Sequence, residues 1–127
     1  MNPDNMNILV LAYLGDCVYE RYIRIHLIHK NIANVNDLQT ESLKYVSAKS
    51  QASIVQILLD QNFLTEEEKS IYRRARNAKN NHHPKSCDII TYKKATGLEA
   101  IFGYLEIMND YKRIEEIMKK IVGEVVC

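Results

Sequence analysis

Hydrophobic residues recur along the chain at the spacing of α-helices. From position 8 to position 30 they return every three or four residues, which predicts a long helix. Five further stretches show the same period: 38 to about 46, 54–59, 65–76, 92–108 and 111–126. No segment alternates polar and apolar residues for long enough to predict a strand. The pattern therefore predicts an all-α protein with six or seven helices.

Polar residues mark several of the expected helix boundaries. Ser47 stands before the third helical stretch, where its hydroxyl can cap the first turn. Thr65 is followed three residues later by Glu68, which is the spacing of a capping box. Residues 34–37 offer cap and turn chemistry ahead of the second stretch. Residues 77–88 have no apolar period and contain one of the two prolines, so a loop is predicted there.

Composition fits a small helical domain. The 127 residues are enough for one hydrophobic core, 46% of them are hydrophobic, and only 4 are glycine. The three cysteines form no CxxC pair and leave one over, which favours a reducing cytoplasm over a disulfide framework. The chain start has no basic region before a long apolar run, so neither a signal peptide nor a membrane span is indicated. We expect one cytoplasmic domain covering residues 1–127.

Positive charge is concentrated in one segment. Residues 73–94 carry seven Lys and Arg against one acid, whereas the rest of the chain carries ten against fifteen. Cations near a helix C-terminus are stabilising without any ligand, but seven exceed what a helix end requires. Contact with a polyanion such as RNA is therefore favoured. Zinc is not, because His82, His83 and Cys87 have no fourth ligand at suitable spacing.

Two acidic residues interrupt otherwise apolar stretches. Asp16 lies in LAYLGDCVYE and Glu99 lies in LEAIFGYL, where a helix should be buried on most sides. An ionised carboxylate is costly to bury unless it is paired or binds a metal. Gly15 adjoins the first acid, and Gly103 lies one turn after the second. Because glycine weakens a helix, these two positions indicate that two helix backbones approach closely.

If those helices pack together, Asp16 and Glu99 can face each other and hold a hard cation, for which Mg²⁺ is the best candidate. In the alternative interpretation, each acid pairs with a nearby basic side chain or points to solvent. Glu20 lies four residues after Asp16, and Arg24 lies four residues after Glu20. We expect Glu20 and Arg24 to form an ordinary helix-surface ion pair.

Four blocks of sequence, taken together and in this order, resemble the ribonuclease III family. They are LAYLGDCVYE at 11–20, VSAKSQA at 46–52, RNAK at 76–79 and TGLEAIFGYL at 96–105. Within the family the closer match is to Mini-ribonuclease III, the compact bacterial form that lacks a double-stranded-RNA-binding domain. The blocks extend over nearly the whole chain, which makes the resemblance far more specific than any single block.

The resemblance implies an all-α endonuclease domain that forms a homodimer and cleaves double-stranded RNA, leaving a 5′-phosphate and a 3′-hydroxyl. Carried over by position, Asp16 and Glu99 are the acids of a Mg²⁺-dependent catalytic site, with Mn²⁺ as an expected substitute. The compact members are associated with maturation of large-subunit (23S) ribosomal RNA. The expected substrate is therefore a precursor of that RNA, and a ribosomal protein is an additional candidate partner.

Without a second domain to grip RNA, affinity must come from the surface of the dimer. We predict that four cations of the basic segment contact the RNA backbone, namely Arg74, Arg76, Lys79 and Lys85. Lys49 is predicted to join this surface, with a role in packing as the alternative. Binding should then weaken with salt in proportion to the number of phosphates neutralised.

The chain also departs from the family pattern. Full-length ribonuclease III has four acids in its site, whereas the two additional positions here hold Ala12 and Thr96, which leaves the number of metal ions open. Ala75 stands where the compact members often have glycine, and NNHH at 80–83 differs from their Ser- and Gly-rich loop. Two other functions remain open: a non-catalytic helical module that binds RNA or a ribosomal particle, and an adaptor whose basic loop recognises an acidic protein.

Overall fold

A computed structural model of the chain describes residues 2–79, 85 and 87–125. Within these residues it contains α-helices and no strand, which confirms the predicted fold class. Six helices are described: α1, Ile8–His29; α2, Val35–Val46; α3, Ala48–Asp60; α4, Glu66–Asn77; α5, Ile89–Ile107; and α6, Tyr111–Lys120. A 3₁₀ turn, Pro3–Asn5, precedes α1, and a π-helical turn, Ile121–Val125, follows α6.

The two longest helices, α1 and α5, pack against each other and form the centre of the fold. Their facing sides bury Tyr19 and Phe102, whose rings meet edge to face with 5.2 Å between centroids. The Tyr19 hydroxyl donates a hydrogen bond to the backbone carbonyl of Tyr45, at 2.7 Å, which ties α2 to α1. α3, α4 and α6 pack around α5. The centre of α5 is therefore enclosed on several sides, as its nearly continuous apolar sequence predicts.

The predicted capping box at the start of α4 is present. The Thr65 N–H donates to the Glu68 carboxylate at 2.9 Å, and the Glu68 N–H donates to the Thr65 hydroxyl at 3.1 Å. Glu68 is only 2% exposed and also accepts two hydrogen bonds from the guanidinium of Arg113, both at 2.8 Å. A third bond from Arg113, to the carbonyl of Phe63, is also 2.8 Å long. This buried ion pair joins the start of α4 to α6.

Two other helix starts lie earlier than predicted. α2 begins at residue 35 rather than 38 because the Asn34 side chain caps it, accepting a hydrogen bond from the backbone N–H of Asn36 at 2.8 Å. α5 begins at residue 89 rather than 92 because Asp88 accepts from the backbone N–H of Thr91 at 2.8 Å. Ser47 does cap α3, as predicted. In both cases the capping side chain lets the helix start before the first residue of the predicted apolar period.

The end of the chain also differs from the expectation. The last α-helix was predicted to continue to residue 126, whereas α6 ends at Lys120 and a π-helical turn follows. In the predicted loop at 77–88, Asn77 is the last residue of α4, and residues 80–84 and 86 lie outside the described residues, His82 and His83 among them. None of the helices described is both long enough and apolar enough to span a membrane.

Candidate active site

α1 and α5 approach each other so closely that only glycine fits at two positions. A Cβ atom added to Gly15 would lie 1.5 Å from the backbone oxygen of Glu99, and one added to Gly103 would lie 1.8 Å from the backbone oxygen of Leu11. Both obstacles are backbone atoms, which cannot move aside as a flexible side chain can. The close approach predicted from the two glycines is therefore confirmed.

This contact brings Asp16 and Glu99 face to face. Asp16 is exposed on α1, whereas Glu99 is half-buried on α5. Burial of Glu99, its hydrogen bond with Asp16 and the negative charge of Asp16 together raise the pKa of the Glu99 carboxyl to about 8. At neutral pH Glu99 is therefore protonated in this environment and donates to the Asp16 carboxylate. The proton on Glu99 relieves the charge repulsion between the two acids.

Gln51 of α3 is a third member of the site, and sequence reasoning missed it. This polar residue is only 3% exposed, and its side-chain hydrogen bond to the Glu99 carboxyl lowers the pKa of that group. An amide that donates to a carboxylate stabilises the charged form, so Gln51 opposes the effect of burial. The signal in the sequence was a glutamine on the buried side of α3, in line with Ile54 and Leu58.

Glu20 lies one turn after Asp16 on α1, and its negative charge adds to the rise in the pKa of Glu99. The predicted ion pair between Glu20 and Arg24 is present at 2.9 Å. No Lys or Arg among the described residues forms an ion pair with Asp16 or Glu99. Neutralisation by a described basic neighbour therefore does not explain the two acids, although Asp16 does reach solvent.

The donor set fits a hard cation held by two carboxylates. Mg²⁺ in proteins commonly has one or two carboxylate ligands and keeps several waters, and exposed Asp16 leaves room for them. No group of three or more His, Cys, Asp and Glu residues suited to a metal exists in the described part of the chain. Ala12 and Thr96 are buried, and the Thr96 hydroxyl donates to the carbonyl of Tyr92 at 2.9 Å, so neither position adds a charged ligand. The arrangement is a carboxylate pair, not a larger cluster.

Asp16 lines a surface groove of about 790 Å³ along α1. Tyr13, Cys17 and Arg21 line it together with Asp16, and the Tyr13 side chain is 85% exposed. Such a groove lets an extended ligand reach Asp16 from the side opposite the core. Cys87 does not support a zinc site, because its sulfur donates a hydrogen bond to the backbone carbonyl of Asp88 at 3.3 Å.

Three of the five predicted RNA-contacting cations lie at or just after the end of α4. Arg74 and Arg76 lie in the last turn of α4, and Lys79 follows two residues after the helix ends. The guanidinium of Arg76 lies 5.5 Å from the ring centre of Tyr72, which holds it against the helix. No carboxylate among the described residues forms an ion pair with these three cations.

The other two predicted cations lie elsewhere. Lys85 is exposed, but the residues on either side of it are outside the described ranges. Lys49 lies in the first turn of α3 and is exposed. It is therefore on a different helix from the arginines.

Comparison with known proteins identifies the family. A model of the ribonuclease III domain matches residues 9–110, a range that includes both facing acids and Gln51. The chain belongs to the ribonuclease III family. Two curated relatives in this family, both named Mini-ribonuclease 3, are those of Streptococcus pneumoniae, 41% identical over 94% of each chain, and Enterococcus faecalis, 44% identical over 94% of this chain and 92% of the relative.

A solved structure has the same fold over nearly the whole chain. The crystal structure of protein FN1578 from Fusobacterium nucleatum superposes with a TM-score of 0.81, covers 93% of each chain and shares 34% sequence identity. The recognition of the family from four sequence blocks is thus confirmed, as is the helical architecture it implied.

Proposed function

We propose that this chain is a Mg²⁺-dependent endoribonuclease that cleaves double-stranded RNA. Membership of the ribonuclease III family supports the coarser statement that it is a ribonuclease and acts on RNA. The observation that carries the finer proposal is the pair of facing carboxyl groups, Asp16 and Glu99, set in place by backbone contact at two glycines. Two carboxylates that repel each other are stabilised when a divalent cation takes the place of the proton they share.

In the proposed reaction Asp16 and Glu99 hold Mg²⁺ through oxygen ligands, with Mn²⁺ as an expected substitute. When bound, the metal supplies Lewis-acid stabilisation of the phosphate and a water of lowered pKa. Gln51 donates to the Glu99 carboxylate and so fixes its orientation toward Asp16. The contact between the two glycine positions fixes the distance between the helices that carry the acids.

RNA binding is assigned to Arg74, Arg76, Lys79, Lys85 and Lys49. The three cations at the end of α4 have no carboxylate partner among the described residues, so their charge is available to a polyanion. Contacts between cations and phosphates are independent of base sequence, which suits an enzyme that acts on duplex RNA. Affinity should fall linearly on a log–log plot against salt concentration.

A homodimer is part of the proposal. The outer face of α1 exposes Val10, Tyr13, Ile25 and Ile28, whose side chains are between 37% and 85% exposed. These residues are spaced so that they share one side of the helix, and Tyr13 and Ile25 also line the groove that reaches Asp16. Apolar side chains gathered on one exposed face favour a protein contact. Association through this face would place the acid pairs of two copies near a shared surface for RNA.

For the biological role, we propose cytoplasmic maturation of a large-subunit (23S) ribosomal RNA precursor by a single domain of residues 1–127, with a ribosomal protein as an additional partner. The support is similarity to compact relatives named Mini-ribonuclease 3, of which this chain covers more than 90% in two cases.

The experiment is cleavage of a long RNA duplex, a matched single strand and a ribosomal RNA precursor by the purified chain in Mg²⁺ and in EDTA. The proposal expects cutting of the duplex and the precursor in Mg²⁺ only, with 5′-phosphate ends on the products. Equal cutting of the single strand would contradict double-strand specificity, and cutting in EDTA would contradict the metal.

A non-catalytic module that binds RNA or a ribosomal particle is the second candidate. The observation in its favour is that the described residues offer a pair of acids and no larger group of metal-binding side chains. This candidate expects the chain to bind the duplex and the precursor in Mg²⁺ without cutting either one. The adaptor alternative expects no competition between double-stranded RNA and an acidic protein partner for the basic loop.

A further inference from the structure

A second basic surface lies between α3 and α5. It is an open groove of about 430 Å³. Its lining includes Lys49, Ser53 and Gln56 from α3, and Ile90, Thr91 and Lys94 from α5. Within the described part of the chain, this lining contains two lysines and no carboxylate. The groove therefore has a net positive charge between two helix faces.

Lys94 is held in a defined position without losing its charge. Its ammonium group donates to the side-chain carbonyl of Gln56 at 3.1 Å, and the Gln56 amide in turn donates to the Asp60 carboxylate at 2.9 Å. A neutral acceptor leaves the positive charge of Lys94 uncompensated, and an ammonium group has two more hydrogens to donate. The chain from Asp60 through Gln56 orients Lys94 before any ligand arrives.

Lys49 supplies the second charge from the α3 side of the groove. Neither Lys49 nor Lys94 forms an ion pair with any of the described residues. The acid nearest in sequence on the α5 side, Asp88, is occupied as the helix cap: its carboxylate accepts from both the backbone N–H and the hydroxyl of Thr91, at 2.8 and 3.0 Å. The lining itself therefore carries two lysines and no carboxylate, and Asp60 and Asp88 lie just outside it, hydrogen-bonded to the side chains of Gln56 and Thr91.

The helices that form this groove also form the candidate active site. Lys94 precedes Glu99 by five residues on α5, which is about 8 Å along the helix axis. Lys49 precedes Gln51 by two residues on α3, or about 3 Å along that axis. α5 and α3 therefore each contribute residues both to the groove and to the candidate active site.

We propose that the groove binds the phosphate backbone of RNA, with Lys49 and Lys94 each neutralising one phosphate away from the cleaved bond. The inference rests on the proposed action on RNA and adds to it Lys94, which the sequence did not single out, and a defined position for Lys49. Hydroxyl and amide side chains beside the two ammonium groups suit the phosphate and sugar oxygens of a nucleic acid. An acidic peptide is the competing occupant, and RNA is favoured because α5 also carries Glu99 and α3 also carries Gln51, which contacts Glu99.

The test is the salt dependence of duplex RNA binding, measured in EDTA so that the RNA is not cut. The proteins are the unaltered chain, Lys49→Gln, Lys94→Gln, the double variant, and Lys119→Gln as a control that removes one charge from exposed α6. Removal of either groove lysine should make the negative slope of log affinity against log salt shallower by about one. Between 50 and 200 mM salt, one lost contact corresponds to an about threefold to fourfold smaller loss of affinity. A double variant whose slope equals that of the control would overturn the inference.

A fifth variant, Gln56→Glu, separates charge from packing. This variant keeps Lys94 but places a carboxylate next to its ammonium group. It should therefore make the salt slope shallower, as Lys94→Gln does. A slope equal to that of the control would overturn the role of Lys94. A polyglutamate competitor tests the acidic peptide: if Lys49→Gln and Lys94→Gln weaken its binding and leave the RNA slope unchanged, the groove is not an RNA site. Cleavage in Mg²⁺ is measured separately. If the unaltered chain cuts RNA but the lysine variants leave the salt slope unchanged, the RNA site in the groove is refuted and the nuclease activity is not.

Discussion

Substitution of Gly15 by alanine tests whether the contact between α1 and α5 holds the site together. The added Cβ would lie 1.5 Å from the backbone oxygen of Glu99, whereas an ordinary contact begins at 3.4 Å, so the helices must separate by about 2 Å at this point. A gap of 0.5 to 1 Å already removes roughly a quarter to a half of the attractive energy of a dispersion contact. The side chains packed beside the contact, Leu11 and Phe102, are fully buried.

The expected size of the effect follows from two opposing contributions. Alanine is a better helix former than glycine by about 1 kcal/mol, which stabilises the variant. Loss of packing around both Leu11 and Phe102 costs about 2 to 5 kcal/mol for each of them. We therefore expect Gly15→Ala to lower the free energy of unfolding by at least about 3 kcal/mol. Cleavage activity should fall as well, because Asp16 moves relative to Glu99.

Urea unfolding followed by circular dichroism measures this change through the midpoint and slope. The matched control is Gly123→Ala, since a Cβ at that position would meet no atom within 4 Å. We expect the control to stay within about 1 kcal/mol of the unaltered chain. A Gly15→Ala variant that unfolds within about 1 kcal/mol of the unaltered chain would refute the close-packed contact.

Three further predictions follow from individual contacts. Without metal, Glu99 favours folding in its protonated form, because its pKa in the folded chain, about 8, lies above its value of about 4.3 when unfolded. The contribution of Glu99 to the free energy of unfolding should be complete below about pH 4 and should decline by a few kcal/mol in all as the pH rises to about 8. Urea unfolding in EDTA should show this decline. A Glu99→Gln variant with the same decline would contradict the assignment to Glu99. Arg113→Ala should destabilise the fold by about 3 kcal/mol because it leaves the buried Glu68 carboxylate without its partner, and an unchanged urea midpoint would contradict this. Gln51→Met keeps the side-chain volume but removes the donor to Glu99, so the Mg²⁺ concentration for half-maximal cleavage should rise by about tenfold or more; an unchanged value at normal folding stability would contradict the positioning role of Gln51.

The features that the sequence predicted correctly are those with a local physical cause. Thr65 and Glu68 form a capping box because both members lie within one turn, so their spacing alone is informative. Gly15 and Gly103 predicted a close contact because glycine has a cost inside a helix that a close approach explains. The helix starts at residues 35 and 89 were placed three residues late because the apolar period, and not the capping side chain, was used to locate them.

The features that were missed depend on partners far away in the sequence. Gln51 looks like an isolated polar residue on α3, and only the packing of α3 against α5 shows that it contacts Glu99. In the same way, Lys94 donates to Gln56 across 38 positions of sequence, and no periodicity on either helix indicates this pairing. The acids themselves were found because each stood out within its own helix, but the rise in the pKa of Glu99 requires both helices in place.

The proposed catalytic role of Asp16 and Glu99 is tested most directly by the rate of duplex RNA cleavage in Mg²⁺ by Asp16→Asn and Glu99→Gln. RNA binding and urea unfolding are measured on the same preparations. Glu115→Gln, an exposed carboxyl on α6, is the matched control. Both site variants should fold and bind RNA but lose cleavage by a thousandfold or more, on the order of 4 kcal/mol of transition-state stabilisation, while the control keeps its rate. A folded Asp16→Asn or Glu99→Gln variant that cleaves as fast as the control would contradict the assignment of the two acids as the catalytic pair.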